Sequence, residues 1–193
     1  LKDVVLGCSL IFIAGLIAYH GSFKGPFVFD DIDSIVDNPT IRNIFSFGTV
    51  LVPPSGGVTV EGRPLLNVTL AVNYALGGVN VMGYHVFNLV VHLIAGFLLF
   101  GVFNKLFELA KLKVAGPLAF CVALLWTVHP LQTESVTYII QRAESLMGLF
   151  YILSIYGFLR YKEGNLMWGG VSVLACYLGM ATKEDMFSAP LII

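Results

Sequence analysis

Two adjacent carboxylates carry the clearest chemical potential in this sequence. Asp30 and Asp31 stand between the apolar stretch FVF and Ile32. A carboxylate that is shielded by apolar neighbours can have a raised pKa and act as a base. The pattern therefore leaves two roles open for this pair, a base or ion ligand and a solvated acidic turn.

Three basic residues, Arg63, Arg142 and Lys183, are candidates for binding a phosphate group. A guanidinium group matches phosphate oxygens with two hydrogen bonds. For Lys183, ordinary snorkelling at a membrane interface is an equal alternative. No HExxH or CxxC pattern indicates a metal centre, so we expect no bound metal and no required cofactor, although a divalent cation could assist.

The segment HPLQTESVTYIIQRAES, residues 129–145, lies between two long apolar stretches. A helix over 131–145 would place Glu134, Tyr138 and Arg142 on one polar stripe. A helix lying on lipid headgroups would also explain the stripe. However, the stripe runs directly into apolar sequence, where Arg and Glu are costly unless they are paired or face a wet cavity. We therefore expect a site with this polar lining: His85, His129, Glu134, Tyr138, Glu144 and Glu184.

The composition indicates an integral membrane protein. Hydrophobic residues make up 57% and charged residues 12%, whereas soluble domains carry roughly 25% charged residues. Apolar runs approaching ~20 residues are typical of membrane spans. Five spans are predicted, at about 4–19, 84–103, 114–128, 146–159 and 166–182, and a sixth begins near Met186.

Further features of the sequence concern the class of protein, its possible partners and its extent. The three cysteines all lie in apolar runs, which argues against a disulfide framework or a zinc site. Nothing in the net charge of −1 indicates a nucleic-acid partner. Asn88 and His92, on an apolar helix, are expected to form hydrogen bonds between packed helices. Because the chain begins with Leu1 and ends in an apolar run, we interpret it as the N-terminal portion of a longer membrane domain.

Two short basic loops, NKLFELAKLK and RYKEGN, predict the orientation. Such loops stay in the cytoplasm, so loop 20–83, segment 129–145 and turn 183–185 fall on the outer face. Acidic residues contribute little to topology, and nine of the twelve are on that face. They are Asp30, Asp31, Asp33, Asp37, Glu61, Glu134, Glu144, Glu184 and Asp185. This clustering suggests a site at the outer rim of the membrane.

Several stretches together resemble a known family. FDD, GRPLLNVTLAVNYALGG, GYHVFNLVVHL, LLWTVHPLQTESVTYIIQRAE and LGMATKED occur in this order between about residues 20 and 190. They resemble the membrane domain of O-mannosyltransferase-type proteins that carry tetratricopeptide repeats, within the glycosyltransferase C (GT-C) superfamily. The resemblance implies an all-α integral membrane fold, a multi-pass helical bundle of GT-C type with a large first outer loop that contains short interfacial helices. No tetratricopeptide repeats follow here, and a full GT-C domain needs several more spans.

The resemblance also implies an activity. Enzymes of this kind take a sugar from a polyprenyl-phosphate carrier, with an acidic residue of the first outer loop as catalytic base. FD followed by an acidic residue matches Asp30, with Asp31 as its neighbour. From charge and side alone, Arg63, Arg142 and Lys183 are expected to bind the carrier phosphate. The expected partners are a polyprenyl-phosphate-linked sugar, an acceptor protein (at Ser or Thr) or lipid, and membrane lipids.

Location and a rival function complete these expectations. We expect a bacterial inner membrane with the site facing the periplasm or, for a eukaryotic source, the endoplasmic reticulum with the site facing the lumen. The alternative is a non-enzyme, either a lipid or solute transporter or a membrane scaffold for a soluble region. A transporter would place charges and broken helices near mid-membrane. Here the charges gather at one face, which favours an interfacial enzyme.

Overall fold

Helices form the regular structure of residues 2–191, the part of the chain that the computed structural model describes. The sequence favours this outcome because long apolar segments in a membrane must satisfy their backbone hydrogen bonds internally. The α-helices are α1 (Lys2–Tyr19), α2 (Phe47–Val50), α3 (Pro64–Gly77), α4 (Val81–Leu109), α5 (Ala115–Thr127), α6 (Thr133–Thr137), α7 (Arg142–Lys162) and α8 (Leu166–Met180). Short 3-10 and π turns connect several of them.

By length and composition, two of the described helices can cross a membrane. They are Asp3–Lys24, which combines nearly all of α1 with the following 3-10 turn, and the 29-residue α4. A third results if α5 and the following helical segment Pro130–Thr137, bent by 50°, count as one span. Helices α7 and α8 coincide with two further predicted spans, but the five-span topology and its GT-C type stay predictions. The predicted sixth span begins within the 3-10 helix Glu184–Leu191, and its remainder lies outside the described residues.

Helix α4 is the centre of the bundle. It packs against α1, α5 and α7, and α7 pairs with α8 as a helical hairpin. Small residues allow the close approaches: a Cβ atom on Gly96 would lie 2.7 Å from the Thr127 hydroxyl oxygen. In the hairpin, the Ser172 hydroxyl donates to the Ser154 carbonyl at 2.8 Å. Such small and hydroxyl-bearing contacts are typical of helices that associate in lipid.

The predicted first outer loop shares a hydrophobic core with the helical bundle. Its buried residues include Ile35, Ile41 and Leu66, and they pack in one cluster with Ile139 and Ile140 of the 3-10 turn before α7. The loop is therefore joined to the bundle. Short helices are present in it as expected, and their placement at a membrane interface stays a prediction.

Two local features fix the backbone of this loop. The side chain of Asn38 caps the 3-10 turn Pro39–Ile41 by accepting the Thr40 N–H at 2.9 Å. Helix α3 ends at Gly77 and is capped by Gly78, whose φ of +58° is a conformation that glycine adopts readily. Buried Asn67 connects α3 to the capped 3-10 turn, since its side chain accepts a hydrogen bond from the Asn38 amide at 3.0 Å.

The continuous helix predicted for 131–145 is wrong. The chain forms a 3-10 turn, the short helix α6 and a break at Tyr138, whose ψ of 115° is extended. A second 3-10 turn then leads into α7 at Arg142. The break rotates the polar residues away from a common stripe, so that Glu134 is exposed while Arg142 is buried. The hydrophobic pattern did not reveal the break because neither Gly nor Pro marks it.

Candidate functional site

The two aspartates lie in one turn but occupy opposite environments. Asp31 has no solvent exposure, and its Oδ2 accepts the Val28 N–H at 3.0 Å. Its Oδ1 accepts the Ile140 N–H at 2.8 Å, which joins the turn to the start of α7. Burial raises the pKa of the Asp31 carboxyl, although these two backbone donors act in the opposite direction. Asp31 therefore holds the turn in place.

Asp30 is exposed and lies where three segments of the chain meet. Its Oδ2 accepts the Thr59 hydroxyl at 3.1 Å, and its backbone N–H donates to the Tyr138 hydroxyl oxygen at 3.1 Å. Burial raises the pKa of Tyr138, and the charges of Asp30 and Asp31 add to this effect, although the hydrogen bond from the Asp30 backbone acts in the opposite direction. The tyrosine thus stays protonated at neutral pH, and the exposed Asp30 carboxylate retains free lone pairs for a proton.

A cluster of ion pairs adjoins this turn. We name it the outer charge cluster, after the face of the membrane that the sequence predicts for it, and define it by its members, Arg63, Glu144, Lys183, Glu184 and Asp185. The Arg63 guanidinium contacts Glu184 at 3.1 Å, and the Lys183 ammonium contacts both Glu144 and Asp185. The cluster therefore joins the start of α3, the start of α7 and the turn after α8.

Thr59 connects the outer charge cluster to Asp30. Its backbone carbonyl accepts a hydrogen bond from Arg63 at 3.0 Å, while its hydroxyl donates to the Asp30 carboxylate. A backbone hydrogen bond also connects α3 with the end of α8, since the Leu65 N–H donates to the Ala181 carbonyl at 3.0 Å. The candidate base and the candidate phosphate-binding residues thus belong to one connected set of contacts.

The contacts within the cluster favour the charged forms of Lys183 and Glu184. The backbone N–H of Glu184, followed by the hydrogen bond from Arg63, lowers the pKa of the Glu184 carboxyl. Burial lowers the pKa of Lys183, but its hydrogen bonds to Glu144 and Asp185 outweigh this effect and leave the pKa raised. Lys183 and Glu184 are therefore both charged at neutral pH.

Arg142 occupies a different position from the one predicted for a phosphate ligand. Its side chain has no solvent exposure, and its Nε donates to the Asn88 Oδ1 at 2.7 Å. The two terminal nitrogens donate to the Thr69 and Tyr84 carbonyls at 3.2 and 3.1 Å. The guanidinium also lies 4.2 Å from the centre of the Phe87 ring. These contacts link α3, α4 and α7, so Arg142 has a structural role and leaves the set of phosphate candidates.

The predicted histidines also bind backbone groups. His85 is buried, and its Nε2 lies 3.0 Å from the Gly25 carbonyl, which can only accept, so Nε2 carries the proton. His129 is exposed, and its Nδ1 accepts the Leu131 N–H at 3.2 Å, which caps the adjacent 3-10 turn. Both residues fix loop geometry. Glu134 accepts a hydrogen bond from Gln141 at 3.3 Å and remains exposed.

The structure thus brings together only part of the predicted set. Tyr138 contacts the Asp30 backbone, and Glu144 and Glu184 belong to the outer charge cluster. Sequence reasoning missed Thr59, because a single threonine in a glycine-rich loop carries no recognisable signal. The prediction for Asn88 and His92 is confirmed, since they bond to the Ile139 and Thr127 carbonyls at 3.1 and 2.8 Å. Within residues 2–191, no group of three or more His, Cys, Asp or Glu is placed to hold a metal ion.

The fold and this site define the class: an all-helical membrane protein with an exposed carboxylate and paired charges at one end. The chain is 30% identical to Protein O-mannosyl-transferase TMTC4 of Homo sapiens over 88% of its own length and 26% of that protein. It is 29% identical to Protein O-mannosyl-transferase Tmtc1 of Drosophila melanogaster over 99% of its own length and 22% of that protein. For Protein O-mannosyl-transferase TMTC3 of Homo sapiens the identity is 26% over 94% of this chain and 20% of that protein.

These similarities confirm the family resemblance drawn from the motifs: the chain is a relative of the TMTC-type protein O-mannosyl-transferases. It spans about a quarter of the length of the curated relatives that it matches first. No family model matches the chain, and no solved structure matches it significantly.

Proposed function

We propose that this chain carries part of the active site of a glycosyltransferase that moves mannose from a polyprenyl-phosphate carrier to a protein Ser or Thr hydroxyl. The names of the relatives support the sugar and the protein acceptor. The observation that carries the proposal is the exposed Asp30 carboxylate, positioned by Thr59 and Tyr138 and connected to the outer charge cluster.

The proposed reaction is an inverting displacement. Asp30 accepts the proton of the acceptor hydroxyl as its oxygen attacks the anomeric carbon of the sugar. The bond between that carbon and the phosphate oxygen breaks, and the carrier phosphate leaves with the electron pair. Because the carrier is confined to the membrane plane, its headgroup approaches the acceptor with reduced orientational freedom.

Arg63 and Lys183 offset the charge that develops on the departing phosphate, which is usually the largest electrostatic contribution. Both are partly exposed, with 19% of each side chain accessible. The Arg63 Nε has no hydrogen-bond partner among the described residues. A phosphate would share these cations with Glu184, Glu144 and Asp185.

We place this site on the outer face of the membrane. The opposite end of the bundle carries the basic loops, where Lys105 and Arg160 both pair with Glu163, at 2.6 and 3.1 Å. Lys111, Lys113 and Lys162 lie in the same loops. Such a basic end is typical of the cytoplasmic side, so the proposed site faces a lumen or periplasm.

Sugar transfer by Asp30→Asn tests the proposal. We expect activity from a panel of polyprenyl-phosphate sugars to fall by about 10²–10⁴-fold, as for loss of a general base. The thermal midpoint should stay near that of the wild type, because Asp30 is exposed. Glu61→Gln is a matched control, since Glu61 is an exposed carboxylate of the same loop whose side chain accepts hydrogen bonds from the local turn at Gly56 and Gly57.

Two outcomes would contradict the proposal. Transfer that survives Asp30→Asn would move the base to another residue. Absence of transfer from every donor, with the carrier lipid still bound, would instead support the scaffold alternative.

A further inference from the structure

Phe29, the residue before the proposed base, has an unusual conformation. Its φ is +45°, a left-handed value that a bulky side chain rarely adopts. Its side chain is 84% exposed, so burial of the ring does not offset the strain. Strained residues that persist in a fold are concentrated at functional sites. An observed outlier of this kind therefore needs a functional explanation.

The neighbours of Phe29 hold the turn in this conformation. The Asp31 carboxylate accepts N–H groups from Val28 and Ile140, and the Asp31 N–H donates to the Val28 carbonyl at 3.0 Å. The Ile32 N–H donates to the Phe29 carbonyl at 3.0 Å. None of these contacts uses the ring of Phe29. Glycine would satisfy the same backbone without strain, so conformation alone does not account for an aromatic residue here.

The surroundings of the turn indicate what the ring could contact. The adjacent Asp30 presents a carboxylate, and the Thr59 and Tyr138 hydroxyls bond directly to Asp30. A ligand that meets both parts needs one apolar face and an edge of hydroxyl groups. A hexopyranose has both, because its C–H bonds lie on the ring faces and its hydroxyls at the rim. An acyl chain would match the ring of Phe29 but not the carboxylate and hydroxyls.

We propose that Phe29 is a sugar-binding residue, whose ring packs against the apolar face of the donor's hexopyranose unit beside Asp30. This inference rests on the function proposed above. It assigns Phe29 to recognition of the sugar, in addition to the phosphate contacts of the outer charge cluster. The strained turn then serves to present the ring and the carboxylate together.

Transfer kinetics of the full chain give the first test. We expect Phe29→Ala and Phe29→Leu to lose about tenfold in kcat/KM, the size of one lost aromatic contact. Phe29→Tyr should retain most of the activity because it keeps the ring. Phe29→Gly should lose activity equally while its thermal midpoint stays the same or rises, since glycine relieves the strain.

Phe45 provides a matched control, since it is an aromatic residue of the same outer loop with 82% of its side chain exposed. If Phe29 served only as a membrane anchor, Phe29→Leu would remain active and Phe45→Ala would lose as much as Phe29→Ala. Either result would overturn the inference. Wild-type activity in Phe29→Ala would also overturn it, while leaving the proposed transfer reaction intact.

A binding measurement separates failure of this inference from failure of the proposed reaction. The emission of Phe29→Trp, taken as a difference from the wild type, is titrated with polyprenyl-phosphate mannose and with bare polyprenyl phosphate. We expect a change with the first probe only, and no change in Phe45→Trp. An equal response to both probes, a parallel response of Phe45→Trp, or no response would overturn the sugar contact. A sugar-dependent response without any wild-type transfer would overturn the reaction alone.

Discussion

Arg63 and Arg142 carry the same charge, yet their environments assign them different roles. Arg142 is fully buried and gives its hydrogen bonds to Asn88 and two backbone carbonyls. Arg63 is partly exposed and pairs with the largely exposed Glu184. Buried polar groups that lose their partner are costly, whereas exposed ion pairs contribute little. At the scale of single residues, stability and function are therefore separable.

Arg142→Met should destabilise the protein by about 3 kcal/mol or more, because three acceptors, two of them buried, lose their donor. Arg63→Met should cost about 1 kcal/mol or less in stability while lowering sugar transfer. Thermal unfolding in detergent, measured beside transfer activity for both variants, checks this pair. Similar thermal midpoints for the two variants would contradict the structural role of Arg142.

The sequence does not reveal the environment of each predicted site residue. Asp30 and Asp31 are predicted as a pair, and the burial of Asp31 becomes visible only in the structure, where the distant Ile140 N–H contacts its carboxylate. The same limit applies to Arg142, whose acceptors come from α3 and α4. Charge and spacing do not contain this information, because burial depends on elements more than fifty residues away.

At the scale of elements, the turn after α8 is connected by ion pairs to the starts of two other helices. Lys183 pairs with Glu144 at the start of α7, and Glu184 pairs with Arg63 at the start of α3. The length of the apolar runs predicted helices α1, α4 and α8. Helical spacing failed for residues 131–145, because the backbone of Tyr138 is extended and neither Gly nor Pro marks the break.

The ion pairs of Lys183 make the free energy of unfolding depend on pH. The pKa of Lys183 is raised in the folded protein, so its contribution is fully present below the ordinary value of 10.5 and is lost as the pH rises through the folded value. We expect Lys183→Met to be less stable than the wild type by about 1–2 kcal/mol at neutral pH. This difference should shrink above pH 10.5. A difference that stays constant across alkaline pH would exclude the ion pair as its source.

At the scale of the whole molecule, charges separate to the two ends of the bundle. The outer charge cluster lies at one end of α7, and the group formed by Lys105, Arg160 and Glu163 lies at the other. This separation agrees with the orientation predicted from the basic loops. The number of spans is less certain to follow from the sequence than the orientation. Helix α8 is apolar but has only 15 residues, and the 21-residue α7 is not among the helices that are apolar enough to cross a membrane.

Cysteine labelling tests the orientation directly. In a variant without the native residues Cys8, Cys121 and Cys176, we expect Phe45→Cys to react with an impermeant thiol reagent in intact cells or sealed lumen-out vesicles. Lys111→Cys should react only after the membrane is permeabilised. Both positions are exposed, so a missing reaction would report sidedness and not burial. The reverse pattern would place the candidate site on the cytoplasmic side.

The break at Tyr138 also has a consequence for the order of assembly. Because the helix is interrupted there, the Ile140 N–H is available to donate to Asp31, a residue 109 positions earlier. Ile139 and Ile140 can then pack against the buried residues of the predicted first outer loop. Ribosomes add about 5–20 residues per second, so this loop waits about 5–20 s for its partner. During that interval the buried residues of the loop lack the part of their cluster that Ile139 and Ile140 supply. We therefore expect the loop to reach its final packing only after residue 140 has been synthesised.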